Sequence, residues 1–305
     1  MISKNSKFIG RFNREKFLHL LILPTLINIF IFSYIPMYGI VVAFQDYSPV
    51  GGFFHSPWVG LKYFKDFLNS PYFYRLLRNT FLLSFYSLLW GFPVPIIFAL
   101  LLNEVRNQKF KKIVQSVSYF PTFVSIVIVV SLLNIFLSPV DGLVNLLLVR
   151  FGHAPIDFLG EAKWFRTLYI GSGIWQGFGW GSIIYLAALS SVSPELYESA
   201  IIDGANRFQQ AIYISIPSLM PTIVLLLILN IGGLLSVGPD KIILMYNPRT
   251  YEVADVISTY VYRRGLLGGE FSFGAAVGLF NSIVNLVLLL IANSIAKRIS
   301  EYALW

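Results

Sequence analysis

The chain has 305 residues, of which 56% are hydrophobic and only 12% are charged, and its mean hydropathy is +0.69. A soluble domain carries about 25% charged residues, so this composition excludes a soluble protein and predicts an all-α polytopic membrane protein. The lack of cysteine excludes disulfides and thiolate chemistry, and the net charge of +8 indicates basic residues beside a membrane rather than a nucleic-acid partner.

Six apolar segments are long enough to cross the hydrocarbon core, which takes about 20 helical residues. The first of them exceeds the roughly 7–15 residues of a signal-peptide core, so it is interpreted as a retained span. In chain order the six predicted transmembrane helices cover residues 17–44, 79–102, 113–137, 167–191, 218–238 and 271–296. Together they predict one transmembrane domain over residues 17–296.

An even number of spans places both termini on the same side of the membrane. The segments on that side are denser in Lys and Arg than the opposite loops, and residues 1–16 alone hold five of them. Cytoplasmic loops carry an excess of Lys and Arg. The N-terminal segment 1–16, the loop 193–217 and the tail 297–305 are therefore predicted to be cytoplasmic.

The loop 193–217 is a polar island between the fourth and fifth spans. Ser193 can cap a helix whose first residue is Pro194, because proline needs no backbone N–H at that position. Glu195 then lies in the first turn, where the positive end of the helix dipole favours it. These signals predict that a short helix begins at Pro194.

The same loop carries a signal for the end of that helix. Gly204 is the expected C′ residue, because glycine adopts the left-handed conformation without steric cost. A second short helix is expected to begin near Ala205 and to end before Pro217, where the fifth span starts. The pattern predicts two short helices joined at Gly204.

The spacing in this loop resembles the EAA motif of binding-protein-dependent ABC importer permeases. That motif runs Glu-Ala-Ala, three residues, Gly, nine residues, Ile, one residue and Leu-Pro. The matching residues here are Glu198-Ser-Ala200, Gly204 and Ile214-Ser-Ile-Pro217, with Ser199 in place of Ala and Ile216 in place of Leu. Residues 34–39, 43–47 and 254–266 also look like the polysaccharide and oligosaccharide branch of these permeases.

The resemblance implies a type I ABC importer permease fold and a transport role without catalysis. It implies a second, unlike permease chain, two copies of a cytoplasmic ATPase, an extracellular binding protein that delivers a carbohydrate, and a bacterial cell membrane as the location. The loop 193–217 would then be the coupling helix that seats in a cleft of the ATPase. The residues assigned to this coupling are Glu198, Ala200, Asp203, Gly204, Ala205, Ile214 and Pro217.

The chain has no Gly-x4-Gly-Lys-[Ser/Thr] phosphate loop, in agreement with a separate ATPase. ATP and Mg are therefore expected on the partner ATPase, and this chain is expected to hold no cofactor. Its three histidines, His19, His55 and His153, are far apart and predict no metal site.

Candidates for the translocation pathway lie in the last three spans. In the fourth span, aromatic side chains can stack on sugar rings, and Gly173, Gly177 and Gly181 form a stripe that predicts close helix packing. Packing or lipid contact for the aromatic residues, and bonding between helices for the asparagines, remain open alternatives. The candidates are Trp175, Gln176, Phe178, Asn230, Asn281 and Asn285.

No Asp, Glu, Lys or Arg lies inside any predicted span. An ion-gradient-driven secondary transporter usually needs intramembrane carboxylates, so this alternative is disfavoured, although it stays open. The same absence favours a neutral, sugar-like cargo. The sequence therefore predicts the permease subunit of an ATP-driven importer for an oligosaccharide or polysaccharide fragment.

Overall fold

The computed structural model describes residues 16–299. The predicted N-terminal segment, apart from Lys16, and the tail beyond residue 299 lie outside the described residues. Within that range the chain is helical and holds no β-strand, only one isolated bridge between Gln45 and Trp58. The helices are α1 (Lys16–Phe44), α2 (Gly52–His55), α3 (Lys62–Leu68), α4 (Phe73–Asn103), α5 (Gln108–Phe123), α6 (Ile126–Leu137), α7 (Leu143–Arg150), α8 (Ala162–Ser190), α9 (Pro194–Ile202), α10 (Arg207–Gly232), α11 (Pro239–Met245), α12 (Tyr251–Ala254), α13 (Ile257–Val261) and α14 (Phe271–Ile299).

Four of these helices, α1, α4, α10 and α14, are long and apolar enough to cross a membrane. The pair α5 and α6 makes a fifth span if it is counted as one, although the two helices are bent by 99°. The fourth predicted span corresponds to α8, whose 29 residues extend about 43 Å. Its glycines and serines make it too polar for the same hydropathy criterion, but its length is sufficient. All six predicted segments therefore contain helix, although α10 ends at Gly232, six residues before the predicted end of the fifth span.

The third predicted span, 113–137, is not one straight helix. Val124 has an extended backbone, and Ser125 starts α6 by accepting a hydrogen bond from the Ile128 N–H at 3.4 Å. An apolar run in the sequence indicates a segment that lies in lipid, but it does not indicate where the helix axis changes direction. The bend between α5 and α6 therefore follows from capping and from tertiary contacts that composition does not show.

The prediction of a separate short helix that ends before Pro217 is wrong. α10 runs without a break from Arg207 to Gly232. Asn206 and Gln209 form a capping box that starts this helix, because each side chain accepts a hydrogen bond from the other residue's N–H, at 2.9 and 2.8 Å. A wide π-helical turn over Ala211–Ser215 precedes Pro217 and accommodates a residue that has no N–H to donate.

Three apolar clusters hold the helices together. The first joins α4, α6, α8, α11 and α12; the second joins α3, α4, α13 and α14; the third joins α4, α8 and α10 near the loop 193–217. Among the described residues of α1, none before Val42 is buried. The buried cluster members are Leu83, Val130, Phe165, Ile242, Met245, Ala254 and Val256 in the first, Phe67, Leu76, Ile257, Phe273 and Val277 in the second, and Ala99, Tyr185, Leu189 and Leu219 in the third.

Candidate coupling segment and central cavities

Residues 193–217, here called the coupling segment, begin as the sequence predicts. Ser193 occupies the N-cap position of α9, Pro194 lies in the first turn, and Glu195 is the acidic residue of that turn. The Ser193 hydroxyl, however, makes no capping hydrogen bond. The start of α9 therefore depends on the extended backbone of Ser193 and on the proline rather than on a side-chain cap.

The end of α9 confirms the assignment of Gly204 as the left-handed residue, with φ +82°. The Gly204 N–H bonds to the Ile201 carbonyl at 3.0 Å, and the Ala205 N–H bonds to the Ala200 carbonyl at 2.8 Å. This pair of bonds is a Schellman motif, which satisfies carbonyls that the helix end would otherwise leave free. Two predicted coupling residues, Ala200 and Ala205, are therefore bonded to each other through their backbones.

The outer face of the coupling segment combines carboxylates with apolar side chains. The side chains of Glu198 and Asp203 are exposed and form no ion pair with any described residue. Ile214 is half-buried and Pro217 is exposed. A surface that mixes exposed acids and large apolar groups suits a protein partner. The exposed apolar side chains of this face are Leu196, Ile201, Ile202, Phe208 and Tyr213.

Two side-chain contacts fix the coupling segment, one within it and one to Glu104 at the end of α4. The hydroxyl groups of Tyr197 and Ser215 lie 2.9 Å apart and connect α9 to α10. Arg207 Nη1 donates to Glu104 Oε2 at 3.1 Å and to the Glu104 carbonyl at 3.2 Å. These residues are far apart in the sequence, so spacing alone gave no signal for either contact.

At the far end of α10 lie two adjoining cavities, of about 550 Å³ and 490 Å³, here called the first and second cavity. Asn230 and Gly233, at the end of α10, line the first cavity. So does Ser84, whose buried hydroxyl has no hydrogen-bond partner among the described residues. The two cavities share the lining residues Ser87, Gly91, Pro95, Tyr169 and Gly238.

The second cavity is lined by a buried lysine side chain that the sequence analysis did not select as a candidate. Lys241 lies on α11, outside every predicted span, yet it is only 8% exposed and lines this cavity. Its Nζ donates to the Tyr169 carbonyl at 2.7 Å and lies 4.7 Å from the centre of the Tyr169 ring. Burial lowers the pKa of Lys241 to about 8. The one available signal was a lysine in a short apolar segment, 239–245.

The three pathway candidates of the fourth span have different surroundings in the structure. Phe178 lines the second cavity and packs against Phe98, with ring centres 4.9 Å apart. Gln176 also lines this cavity, but its side-chain amide donates to the Val124 carbonyl at 2.7 Å. Trp175 is 44% exposed and lines neither cavity.

The three asparagine candidates also differ in their contacts. Asn230 faces the first cavity and donates only to the Leu226 carbonyl of its own helix, at 2.8 Å. Asn285 accepts from the Leu235 N–H at 2.9 Å and donates to Ser236 Oγ at 2.8 Å, and Asn281 donates to the Leu235 carbonyl at 3.1 Å. The last two therefore hold the chain that leaves α10, which is the bonding alternative left open above.

The glycine stripe of α8 lines the cavities. Gly173 and Gly177 line the second cavity and Gly181 lines the first. A Cβ at Gly177 would meet no atom within 4 Å. The tightest helix contact is at Gly179, where a Cβ would overlap the carbonyl of Ser118 on α5. Of the predicted stripe, Gly181 also packs closely, since a Cβ there would lie 3.3 Å from Pro95 on α4.

Comparison with known proteins decides which family this arrangement represents. Residues 91–301 match the family described as "Binding-protein-dependent transport system inner membrane component". The chain belongs to this family. As a member it is a transport component rather than an enzyme, and an apolar multi-helix protein of this family is a membrane permease.

Individual family members are similar over almost their whole length. Protein LplB of Bacillus subtilis is 45% identical over 99% of this chain and 95% of its own. The polygalacturonan/rhamnogalacturonan transport system permease protein YteP of the same species is 47% identical over 99% and 94%. A crystal structure of a bacterial ABC transporter for import of the acidic polysaccharide alginate contains a chain with a TM-score of 0.87 and 45% identity, covering 96% of this chain and 99% of that one.

A second solved structure contains a bacterial alginate transporter together with a periplasmic protein. The bacterial alginate ABC transporter, in complex with an alginate pentasaccharide-bound periplasmic protein, has a chain with a TM-score of 0.87 and 44% identity to this permease, covering 97% and 99% of the two chains. At this identity and coverage the fold is that of a type I ABC importer permease. The all-α fold predicted from the sequence is therefore confirmed.

Proposed function

We propose that this permease is one of two unlike permease subunits of an ATP-driven importer in a bacterial cell membrane, with its termini and coupling segment in the cytoplasm. Two copies of a separate ATPase bind ATP and Mg, and one of them seats on α9. An extracellular binding protein delivers an oligosaccharide or polysaccharide fragment. The saccharides named for the relatives, polygalacturonan, rhamnogalacturonan and alginate, support this class of cargo.

The observation that carries this proposal is the continuity of α10. This helix starts at the capping box of the coupling segment and ends beside Asn230 and Gly233, which line the first cavity. Its 26 residues extend about 39 Å. A displacement of the coupling segment by an ATPase is therefore carried directly to the cavity wall by one helix.

The exposure of α1 supports a second permease. None of its most apolar residues is buried against the rest of the described chain, although α1 is 29 residues long. Lipid satisfies such a surface, but a neighbouring subunit satisfies it equally well. We propose that the partner permease covers part of α1, as well as the open side of the two cavities.

The coupling assignment is tested with Glu198→Lys and Gly204→Pro in the complete transporter. Both variants should insert in the membrane but lose ATP-driven uptake by about tenfold or more, because a contact at the centre of a protein interface is lost. Glu161→Lys makes the same charge change beyond the far end of α8 and should leave uptake unchanged. Normal uptake with both coupling variants would contradict the assignment.

The energy source is tested separately from the coupling residues. Uptake into vesicles should persist when the ion gradient is collapsed and ATP is retained. Loss of uptake under that condition would instead favour the ion-gradient-driven transporter that the sequence left open.

A further inference from the structure

The most unusual charged group in the described part of the chain is Lys241. It is buried, and no described carboxylate lies within ion-pair distance of it. Asp240 also lines the second cavity, but its exposed carboxylate forms no ion pair with Lys241. Lysine is almost never fully buried unless it is paired, and an unpaired buried charge is costly. A buried lysine that lines a cavity and has no acidic partner is therefore a candidate functional group.

The position of this ammonium group is well inside the molecule. Its neighbour Tyr169 lies seven residues from the start of α8, which corresponds to roughly 10 Å along the helix. Gly173 lines the same cavity, and a Cβ at that position would lie 3.5 Å from Nζ, an ordinary contact distance. The ammonium group is therefore largely hidden from the surface and borders the second cavity.

Lys241 has hydrogen-bonding capacity that the chain does not use. An ammonium group has three donors, and the bond to the Tyr169 carbonyl uses one of them. The second cavity, at about 490 Å³, is within the range of about 300–1,000 Å³ that is usual for ligand pockets. The unused donors of Lys241 can therefore bind an acceptor that comes from outside this chain, and a negatively charged acceptor forms the strongest such bond.

A second cationic residue, Arg166, lies close to the second cavity. Arg166 lines a cavity of about 500 Å³ that shares Ile170 and Ile174 with the second cavity. Its guanidinium donates to Asn79 Oδ1 at 3.1 Å and forms no ion pair with a described carboxylate. Two cations without acidic partners therefore lie along one side of α8.

We propose that Lys241 binds a carboxylate of the substrate as it passes through the second cavity, so that the cargo is an acidic oligosaccharide built from uronate units. This inference rests on the proposed function and deepens it. A charge-assisted hydrogen bond from the ammonium to a carboxylate replaces the missing ion-pair partner. Tyr169 lines the same cavity and holds the ammonium in place through its carbonyl and its ring.

The test uses the complete transporter with its binding protein in proteoliposomes and four tetrasaccharides: galacturonate, mannuronate, and their neutral galactose and mannose counterparts. ATP hydrolysis by the wild type should be stimulated by an acidic member and not by its neutral counterpart. Stimulation by neutral members only would overturn the inference and leave the proposed function standing. Stimulation by none of the four would overturn the uronate cargo, whereas the proposed function fails only if uptake is independent of ATP and of the coupling segment.

Variants then assign the selectivity to one residue. Lys241→Met keeps the apolar stem and should lower uptake of the acidic tetrasaccharide by about tenfold or more, the loss of one charge-assisted hydrogen bond. Lys241→Arg keeps the charge and should restore a large part of it. Lys163→Met removes an exposed lysine that is paired with Glu161 at 2.7 Å, and it should change nothing. Equal uptake by Lys241→Met and the wild type, or failure of Lys241→Arg to exceed Lys241→Met, would overturn the role of Lys241.

Discussion

The side-chain amide of Gln176 donates a hydrogen bond to the carbonyl oxygen of Val124, and the two atoms are 2.7 Å apart. Val124 lies in the bend between α5 and α6, where the helical hydrogen-bond ladder is interrupted. A second bond joins Thr122 Oγ1 to the carbonyl of Gln176, also at 2.7 Å. α8 therefore supplies the partners for one backbone carbonyl and one side-chain hydroxyl at a bend in the predicted third span.

Replacing Gln176 should consequently destabilise the fold. Gln176→Leu leaves the Val124 carbonyl without its partner, at a cost of about 1–3 kcal/mol in the free energy of unfolding. Asn230→Leu is the matched control, because Asn230 is exposed and bonds only to its own helix. The melting temperature in detergent should fall for Gln176→Leu alone. An unchanged melting temperature would return Gln176 to the pathway candidates.

Gly204→Ala should destabilise the turn between α9 and α10. A residue with a Cβ pays about 1–2 kcal/mol in the left-handed region that Gly204 occupies. Amide hydrogen exchange over residues 199–206 should become faster. Gly171→Ala is the control, because that glycine is helical and a Cβ there meets nothing within 4 Å. Unchanged exchange in Gly204→Ala would show that the Schellman geometry tolerates a side chain.

Two glycines of α8 allow the effect of a mutation on helix packing to be distinguished from its effect on substrate passage. Gly179→Ala forces α5 away from α8, and overpacking of this kind costs about 1–3 kcal/mol. Gly177→Ala projects into open space and should not lower the melting temperature, because alanine favours a helix more than glycine does. Gly177→Leu should keep the fold but reduce uptake, because its side chain extends into the second cavity. A lower melting temperature for Gly177→Ala than for Gly179→Ala would contradict this division.

Asp255 should be the most sensitive carboxylate of the described chain. Its side chain is fully buried and accepts from both terminal nitrogens of Arg263, at 2.9 and 2.8 Å, while Arg75 lies 3.4 Å away. The hydrogen bond to Asp255 raises the pKa of Arg263. Asp255→Asn breaks a buried pair and should cost about 3–5 kcal/mol.

The matched control for this pair is Asp157→Asn. Asp157 pairs with Arg249 at 3.1 Å, but the Arg249 side chain is 72% exposed, so the pair is screened by solvent. Its loss should change the free energy of unfolding by at most about 1 kcal/mol. Thermal unfolding of the two purified variants checks the difference, and equal effects would show that burial does not control the strength of these pairs.

Predictability from the sequence differed between the coupling segment and the cavities. The signals in the coupling segment, Pro194 and Gly204, act within a few residues, so both ends of α9 were correctly placed, although Ser193 makes no capping hydrogen bond. The same local reasoning failed at Pro217, because the π-helical turn ahead of it shifts the hydrogen-bond register and lets α10 continue. Proline in sequence signals a missing donor, not how the helix compensates for it.

The sequence alone determined the membrane setting, the six helical segments, the family and the turn at Gly204. These features depend on hydropathy and on turn-forming residues, which act over short stretches of sequence. Only the tertiary structure showed that α10 connects the coupling segment to the first cavity. It also showed that Gln176, Asn281 and Asn285 form hydrogen bonds between segments, and that Lys241 bonds to the Tyr169 carbonyl. These contacts join residues 46 to 72 positions apart. Long-range pairing depends on how the helices pack, and no local pattern encodes it.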